Sequence, residues 1–422
     1  MKAKCLKSIT ILIILVLALG ACQPAAPTQA PATQPPATQP PVVQEPTAAP
    51  PVVSEQKVLK VAELQPLSGE GAGYGGPAKV GYTFAVEDIN AAGGIKVGNE
   101  YYRLEIVEYD TKFDPSVAAT VARQAIYEDG VKYMVLHGGG PEADAILPIV
   151  EENNVVLFAL TDDPGFIGPK HPSAFYIFFY VPDSAAIQYE YLSKTYPDAT
   201  RVVGTFPDTA SGQTLAALWT KVVPEFGFEI VDTIFVPPDT SDFYPMLTPI
   251  LGQDVDIIEQ AGFPGGTTGK MIAQARELGW EGRFVEFTGG EFEDNATAAG
   301  GWDVLEGLIG TGYPAVPVTA FGEEFYKRCE VVMEDPPVWL GYFYDQMWLL
   351  KAAIEKAGSI ETADVLPALE EVTFSGVLGE NLHFAGKEVV GINRLLAHLL
   401  VVSQVVDGSP VPVYTNYPLW AR

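Results

Sequence analysis

Val58-Leu-Lys-Val-Ala-Glu-Leu-Gln-Pro66-Leu-Ser-Gly69-Glu-Gly71-Ala-Gly73-Tyr-Gly75-Gly76-Pro77 is the stretch whose reading decides the fold. The apolar run at 58–62 has the composition of a short strand, and a glycine-rich loop follows it. Tyr82, Ala85, Val86 and Ile89 then recur at i, i+3, i+4 and i+7, the spacing of one helix face. Pro77 predicts the start of that helix and Gly93-Gly94 its end. Leu104 and Ile106 alternate with charged neighbours in a second strand, and Asp114-Pro115 supplies an N-cap and first-turn proline for a helix through Ile126. Strands at 133–136 and 155–158 flank a helical stretch at 143–150. The same beat resumes with strands at 201–206, 230–236, 255–258 and 283–287, and with helices at 214–223 and 270–278. Alternating β and α elements at this spacing predict an α/β fold of doubly wound parallel sheets, and so many strands require two of them. Ligands of such sheets sit at the carboxyl ends of the strands, near helix N-termini.

Composition narrows the partners. The 422 residues carry a net charge of −28, with 48 % hydrophobic residues, so the chain is neither disordered nor a single ordinary domain. An acidic body repels phosphate backbones and anionic lipid, which disfavours nucleic acid as a partner. Three cysteines spread over the chain cannot form a disulfide framework. Cys5 and Cys22 fall in the leader, and Cys329 reads as a small buried hydrophobe.

Lys2, Lys4 and Lys7 precede the apolar run Ile9-Thr-Ile-Leu-Ile-Ile-Leu-Val-Leu-Ala-Leu19 and then Gly20-Ala21-Cys22. This is the order of a signal peptide over 1–22, and the run is well short of the ~20 apolar residues of a spanning helix. Leu19-Gly20-Ala21-Cys22 resembles a bacterial lipobox, in which the cysteine becomes the lipidated mature N-terminus. Residues 23–55 are almost entirely Pro, Ala, Thr, Gln and Val and predict an extended, disordered tether. At ~3.1 Å per residue it holds the body up to ~100 Å from a bilayer, anchored to the membrane rather than through it.

Several catalytic look-alikes fail on spacing. Gly71-Ala-Gly73-Tyr-Gly75-Gly76 matches a dinucleotide fingerprint, but 64–69 intervenes between strand and glycine, which favours a flexible ligand-facing loop. Gly265-Gly266-Thr-Thr-Gly269-Lys270 imitates a P-loop with Pro264 where the first glycine belongs and Met271 in place of the magnesium-binding hydroxyl. His137-Gly138-Gly139-Gly140 copies an esterase oxyanion loop, yet the chain has no G-x-S-x-G elbow. His137, His171, His383 and His398 share no metal spacing, and no cofactor is expected.

The segment Val61-Ala62…Pro66-Leu-Ser68-Gly69…Tyr74-Gly75…Gly81…Ala85…Asp88-Ile89-Asn90-Ala-Ala-Gly93-Gly94-Ile95 resembles the opening of branched-chain amino acid transporter binding proteins, the type I solute receptors of the leucine/isoleucine/valine-binding kind. The likeness continues through Leu104-Glu-Ile-Val-Glu-Tyr-Asp110, Asp114-Pro115 and Asp129-Gly130-Val-Lys-Tyr133. Further on come Asp239-Thr-Ser-Asp242-Phe243, Gln274-Ala-Arg276-Glu-Leu-Gly279, Gly341-Tyr-Phe-Tyr344-Asp345 and Phe374-Ser-Gly376. The resemblance covers 56–422. It implies two doubly wound α/β lobes joined by three hinge crossings, near 179–183, 310–314 and 380–386. Lobe 1 is then 56–181 plus 313–382, and lobe 2 is 182–312 plus 383–422. Hinge closure on a trapped ligand is the mechanism that the class implies.

The resemblance also implies a site, and here the sequence departs from its relatives. The relatives hold the ligand carboxylate with a serine hydroxyl and backbone N–H groups. The matching stretch is Gly138-Gly139-Gly140, which loses the hydroxyl and is expected to keep the N–H donors. A head-group threonine is matched by Asp163, beside Thr161 and Asp162, whose alternative reading is an N-cap for a helix after Pro164. A lobe-2 tyrosine becomes Ser211-Gly212, and a second aromatic is kept as Phe263. The carboxylate that pairs with the ligand ammonium is replaced by Thr288, with Glu286 two residues earlier as a substitute. Tyr74 is retained to stack on or shield the ligand. Carboxylates facing the cleft repel an α-carboxylate and favour a cation or a hydroxyl-rich ligand.

The favoured function is therefore a monomeric, lipid-anchored solute receptor outside the cytoplasm that delivers a small polar molecule to the permease of an ABC importer, without catalysis. One alternative is a sensory subunit for a membrane signalling partner. Another is a hydrolase using the His137 loop and Ser211, the only candidate nucleophile that can be placed across the cleft.

Overall fold

In the computed structural model of the protein, the described residues are 56–422 apart from 70, 162–163, 264, 313–316, 335 and 338. The expected signal peptide, the lipidation site Cys22, the tether, Asp162 and Asp163 lie outside them. The strands are β1 (Lys57–Gln65), β2 (Ile95–Val97), β3 (Glu100–Asp110), β4 (Tyr133–His137), β5 (Val156–Leu160), β6 (Ala174–Tyr176), β7 (Arg201–Pro207) and β8 (Glu229–Val236). They continue with β9 (Ile257–Gln260), β10 (Arg283–Glu286), β11 (Ile309–Gly312), β12 (His383–Ala385), β13 (Leu395–Ala397), β14 (Leu400–Val406) and β15 (Ser409–Asn416). The main helices are α1 (Ala72–Ala91), α2 (Pro115–Tyr127), α3 (Gly140–Glu152), α4 (Val181–Thr195), α5 (Ala210–Val222) and α6 (Tyr244–Leu251). After these come α7 (Thr267–Glu277), α8 (Phe292–Ala299), α9 (Ala320–Cys329), α10 (Leu340–Ala357) and α11 (Thr362–Leu369). Among the described residues no helix is long and apolar enough to cross a membrane.

Two sheets result. The first has the order β12-β13-β6-β5-β4-β1-β3-β2 and the second β15-β14-β11-β10-β9-β7-β8. Their central pairs are parallel, as β1 with β3 and β4 and as β9 with β7 and β10 show. Antiparallel pairs occur only toward the edges, at β2–β3, β12–β13, β11–β14 and β14–β15. Central strands β4 and β5 are buried along their whole length, as parallel strands covered by helices on both faces must be.

Local chemistry sets the helix starts. Asp114 caps α2 by accepting the N–H groups of Ser116 and Val117 at 2.8 and 3.0 Å. Thr209 does the same for α5 through Gly212 N–H at 3.1 Å. One expectation is corrected at α1, which begins at Ala72 with Pro77 inside it. Gly71 and Gly75 lie so close to Pro66 that a Cβ on either would sit 2.6 or 2.5 Å from it. The glycines of the supposed loop thus let the first helical turn press against the strand end.

A second correction concerns the crossings. The chain leaves the first sheet after β6 and enters the second at β7, and it leaves the second after β11 at Gly312. The third change of sheet does not fall at 380–386, because β12 pairs with β13 and β13 pairs with β6 of the first sheet. It falls between Ala397 and Leu400, where buried His398 lies 3.3 Å from the Tyr342 hydroxyl. Residues 383–397 therefore belong with lobe 1.

Helix α5 starts at the rim of the second sheet, and a Cβ on Gly212 would lie 2.0 Å from the Pro207 carbonyl oxygen. Gly212→Ala is expected to destabilise the fold by about 3 kcal/mol, read as a lowered midpoint in chemical denaturation at unchanged slope.

Candidate functional site

Parallel strands end on one side of a sheet, so the loops after β1, β3, β4 and β5 meet at one edge and those after β7, β9 and β10 at another. A cavity of about 400 Å3 opens at the first edge, walled by Phe113, His137, Leu160, Phe178 and Trp339 over the Gly138–Gly140 turn. A smaller one of about 190 Å3 opens at the second, bordered by Ser211, Gly262, Phe263, Glu286, Thr288 and Glu291. Phe178 borders both, so the two cavities adjoin there.

In the lobe-1 half, Asp110 organises the rim. Its carboxylate accepts the N–H groups of Leu67, Ser68 and Lys112 at 2.9, 3.2 and 3.0 Å and the Ser68 hydroxyl at 2.5 Å. Burial opposes the charge, but these four donors hold the carboxyl below its ordinary value. Lys112 and Phe113 that follow have φ of 56° and 59°, a left-handed pair of non-glycine residues. The glycine turn also differs from expectation. Gly138 N–H donates to Leu160 O at 3.2 Å and Gly139 N–H to Glu142 Oε2 at 2.9 Å, while Pro141 has no N–H. Two of the three N–H groups expected to receive a ligand carboxylate are thus committed within the protein. A Cβ at 138 would sit 2.4 Å from Glu142 Oε2 and displace the carboxylate that accepts Gly139 N–H. His137 lies with its ring centroid 5.1 Å from those of Trp339 and Phe343, and burial pushes its pKa down to about 3, so it is neutral. Thr161 is buried, and its carbonyl accepts the Tyr176 hydroxyl at 2.8 Å.

The lobe-2 half is built on two neighbouring carboxyls. Glu259 on β9 is held by Gln188 Nε2 at 2.7 Å, the Tyr189 hydroxyl at 3.0 Å and Phe287 N–H at 3.3 Å. Glu286, which ends β10, is 6 % exposed, and its Oε2 has no hydrogen-bond partner. Burial, then the charge of Glu291, raises its pKa to about 8. Glu291 is itself raised by burial and by Asp294. Thr288 is occupied by Gly262 N–H, which donates to its Oγ1 at 3.0 Å, so it ties two loops together.

The sequence-read residues Gly138, Gly139, Gly140 and Thr161 thus line one half, and Ser211, Phe263, Glu286 and Thr288 the other. Tyr74 lies in α1. Phe113, Phe178, Trp339 and Glu291 were not singled out by sequence. Trp339 comes from a segment about 200 positions from His137, whereas Phe113 directly precedes the capping Asp114-Pro115 pair, a local signal that marks its turn. No lysine or arginine borders either cavity among the described residues, and none of their acidic, histidine or cysteine side chains group to hold a metal ion.

The sequence profile of the periplasmic binding protein family matches residues 58–399. The leucine-, isoleucine-, valine-, threonine- and alanine-binding protein of Pseudomonas aeruginosa is 25 % identical over 78 % of this chain and 86 % of its own length. Among solved structures, a branched-chain amino acid ABC transporter periplasmic ligand-binding protein from Burkholderia xenovorans superposes with a TM-score of 0.74 at 18 % identity, over 86 % of this chain and 96 % of that one. An ABC transporter solute-binding protein from Rhodopseudomonas palustris in complex with 3,4-dihydroxybenzoic acid does so with a TM-score of 0.68 at 19 % identity, over 86 % and 98 %. The chain belongs to the periplasmic binding protein family and has its two-lobed type I fold.

Glu286 gives a test of the site's electrostatics. Its folded-state pKa lies above the ordinary glutamate value, so the native state binds more protons than the unfolded one between 4.5 and about 8, and stability falls as pH rises through that window. Glu286→Gln removes this contribution. Its stability relative to the wild type is expected to climb from pH 4.5 to 8 in denaturant titrations, and a pH-independent difference contradicts the assignment.

Proposed function

We propose that the protein is an extracytoplasmic receptor, anchored by lipid at Cys22 and carried on the 23–55 tether, that captures a small polar solute between its lobes and passes it to an ABC importer. The observation that carries this reading is the cleft itself: two cavities, one at the strand ends of each sheet, meeting at Phe178. Membership of the family supports capture without chemical change. The receptor acts as a monomer, and its lobes close on the solute about the three crossings. The acidic chain keeps nucleic acid and anionic lipid at a distance while the anchor holds it near its permease.

The solute is not leucine, isoleucine or valine. Burying an α-carboxylate without donors costs several kcal/mol, and two of the three N–H groups of the Gly138–Gly140 turn are already bonded. The cleft adds Glu291, with Asp294 beside it, and this acidic charge disfavours a ligand carboxylate nearby. Calorimetric titration with the three amino acids is expected to give no saturable heat. Micromolar or tighter binding of any one refutes this specificity.

A further inference from the structure

The two halves of the cleft differ in chemistry, and the difference has a direction. The lobe-1 half is made of rings and hydrocarbon, with Phe113, His137, Phe178 and Trp339 as its aromatic walls. Phe113 remains 48 % exposed, and it and Lys112 occupy the left-handed region at φ of 59° and 56°. Such strain persists where surrounding bonds enforce it, here Asp110 on Lys112 N–H and Thr111 O on Asp114 N–H at 3.0 Å each. An exposed ring held there at conformational cost is suited to a flat ligand surface.

The lobe-2 half presents the opposite need. Glu286 borders the smaller cavity, and its buried Oε2 has no hydrogen-bond partner, a state that costs free energy until a ligand supplies one. The charged or titratable groups around it are all acidic: Glu259 on β9, and Glu291 with Asp294 at the start of α8. No cation borders either cavity among the described residues to receive an anion, and the chain's charge of −28 draws cations toward it.

Resting on the capture function proposed above, we infer that the solute is an aromatic amine: a flat ring against Phe113 and Trp339 in lobe 1, and a protonated nitrogen, with no carboxylate beside it, donating to Glu286 in lobe 2. The amine supplies the missing partner, and once it has ionised Glu286 a carboxylate on the adjacent carbon would face Glu286 and Glu291 with no partner. When the charged nitrogen arrives, the carboxyl gives up its proton to solvent and the two form an ion pair.

The test titrates the protein with phenethylamine, phenylalanine, benzoate and butylamine at pH 7 in buffers of different ionisation enthalpy. Phenethylamine is expected to bind at least about tenfold more tightly than each of the others, the worth of one charge-assisted hydrogen bond or of the lost ring contact. Its heat should vary with buffer as proton release requires. Glu286→Gln, which keeps shape and neutrality, should weaken phenethylamine by about tenfold or more and leave benzoate unchanged. Should the variant not fold, the wild-type ranking and buffer dependence decide alone. Tighter binding of phenylalanine or benzoate overturns the inference while leaving solute capture intact. Silence from all four probes, or an amine affinity untouched by Glu286→Gln, also overturns it. Capture as such fails only if no solute closes the lobes.

Discussion

Every polar group at the edge where parallel strands end must find a partner, in the chain or in a ligand, because burial without one costs about 1–3 kcal/mol each. This constraint shapes the cleft. Asp110 gathers four donors from two loops, Glu142 reaches back to Gly139 N–H, Thr209 caps α5, and Thr288 takes Gly262 N–H. Against that background Glu286 Oε2 is a buried oxygen without a partner on a residue that borders the cavity, and it is the feature from which a specificity can be argued.

The same reasoning underlies the proposed departure from the ligands of its amino-acid-binding relatives, while the fold is theirs. A receptor for α-amino acids needs donors for a carboxylate. Here the Gly138–Gly140 turn spends two of its three N–H groups on Leu160 O and Glu142, and the space above it is walled with aromatic rings. The scaffold that supports the change is deep inside. Ser184 on α4 lies 2.6 Å from Phe287 O and 3.1 Å from Thr311 O, so the helix leading out of the first crossing is fixed to the ends of the second sheet. His398 occupies the third crossing beside Tyr342 of α10, and burial lowers the histidine to about 4, which keeps it neutral.

What the sequence made legible follows from where its signals are local. The β/α beat, the Asp114-Pro115 cap and the glycine turn after β4 are written in consecutive residues, and they place Gly138, Thr161, Ser211, Phe263 and Glu286 at strand ends. Signals that depend on distant partners were not legible. β12 and β13 have three residues each and join the first sheet only because β6 offers an edge. The start of α1 was hidden because Gly71 to Gly76 read as a loop until Pro66 is seen packed against them. The N–H groups of Gly138 and Gly139 look free in sequence, and only Leu160 and Glu142 in three dimensions show them committed.

The proposed capture depends on a pair of lobes that shut on an unaltered guest. Small-angle scattering of the purified protein, recorded with and without fractions of the small molecules its own cells contain, measures this directly. At least one fraction is expected to reduce the radius of gyration reversibly and to be recovered chemically unchanged. Identical curves across all fractions, or a guest returned as a different compound, would contradict it.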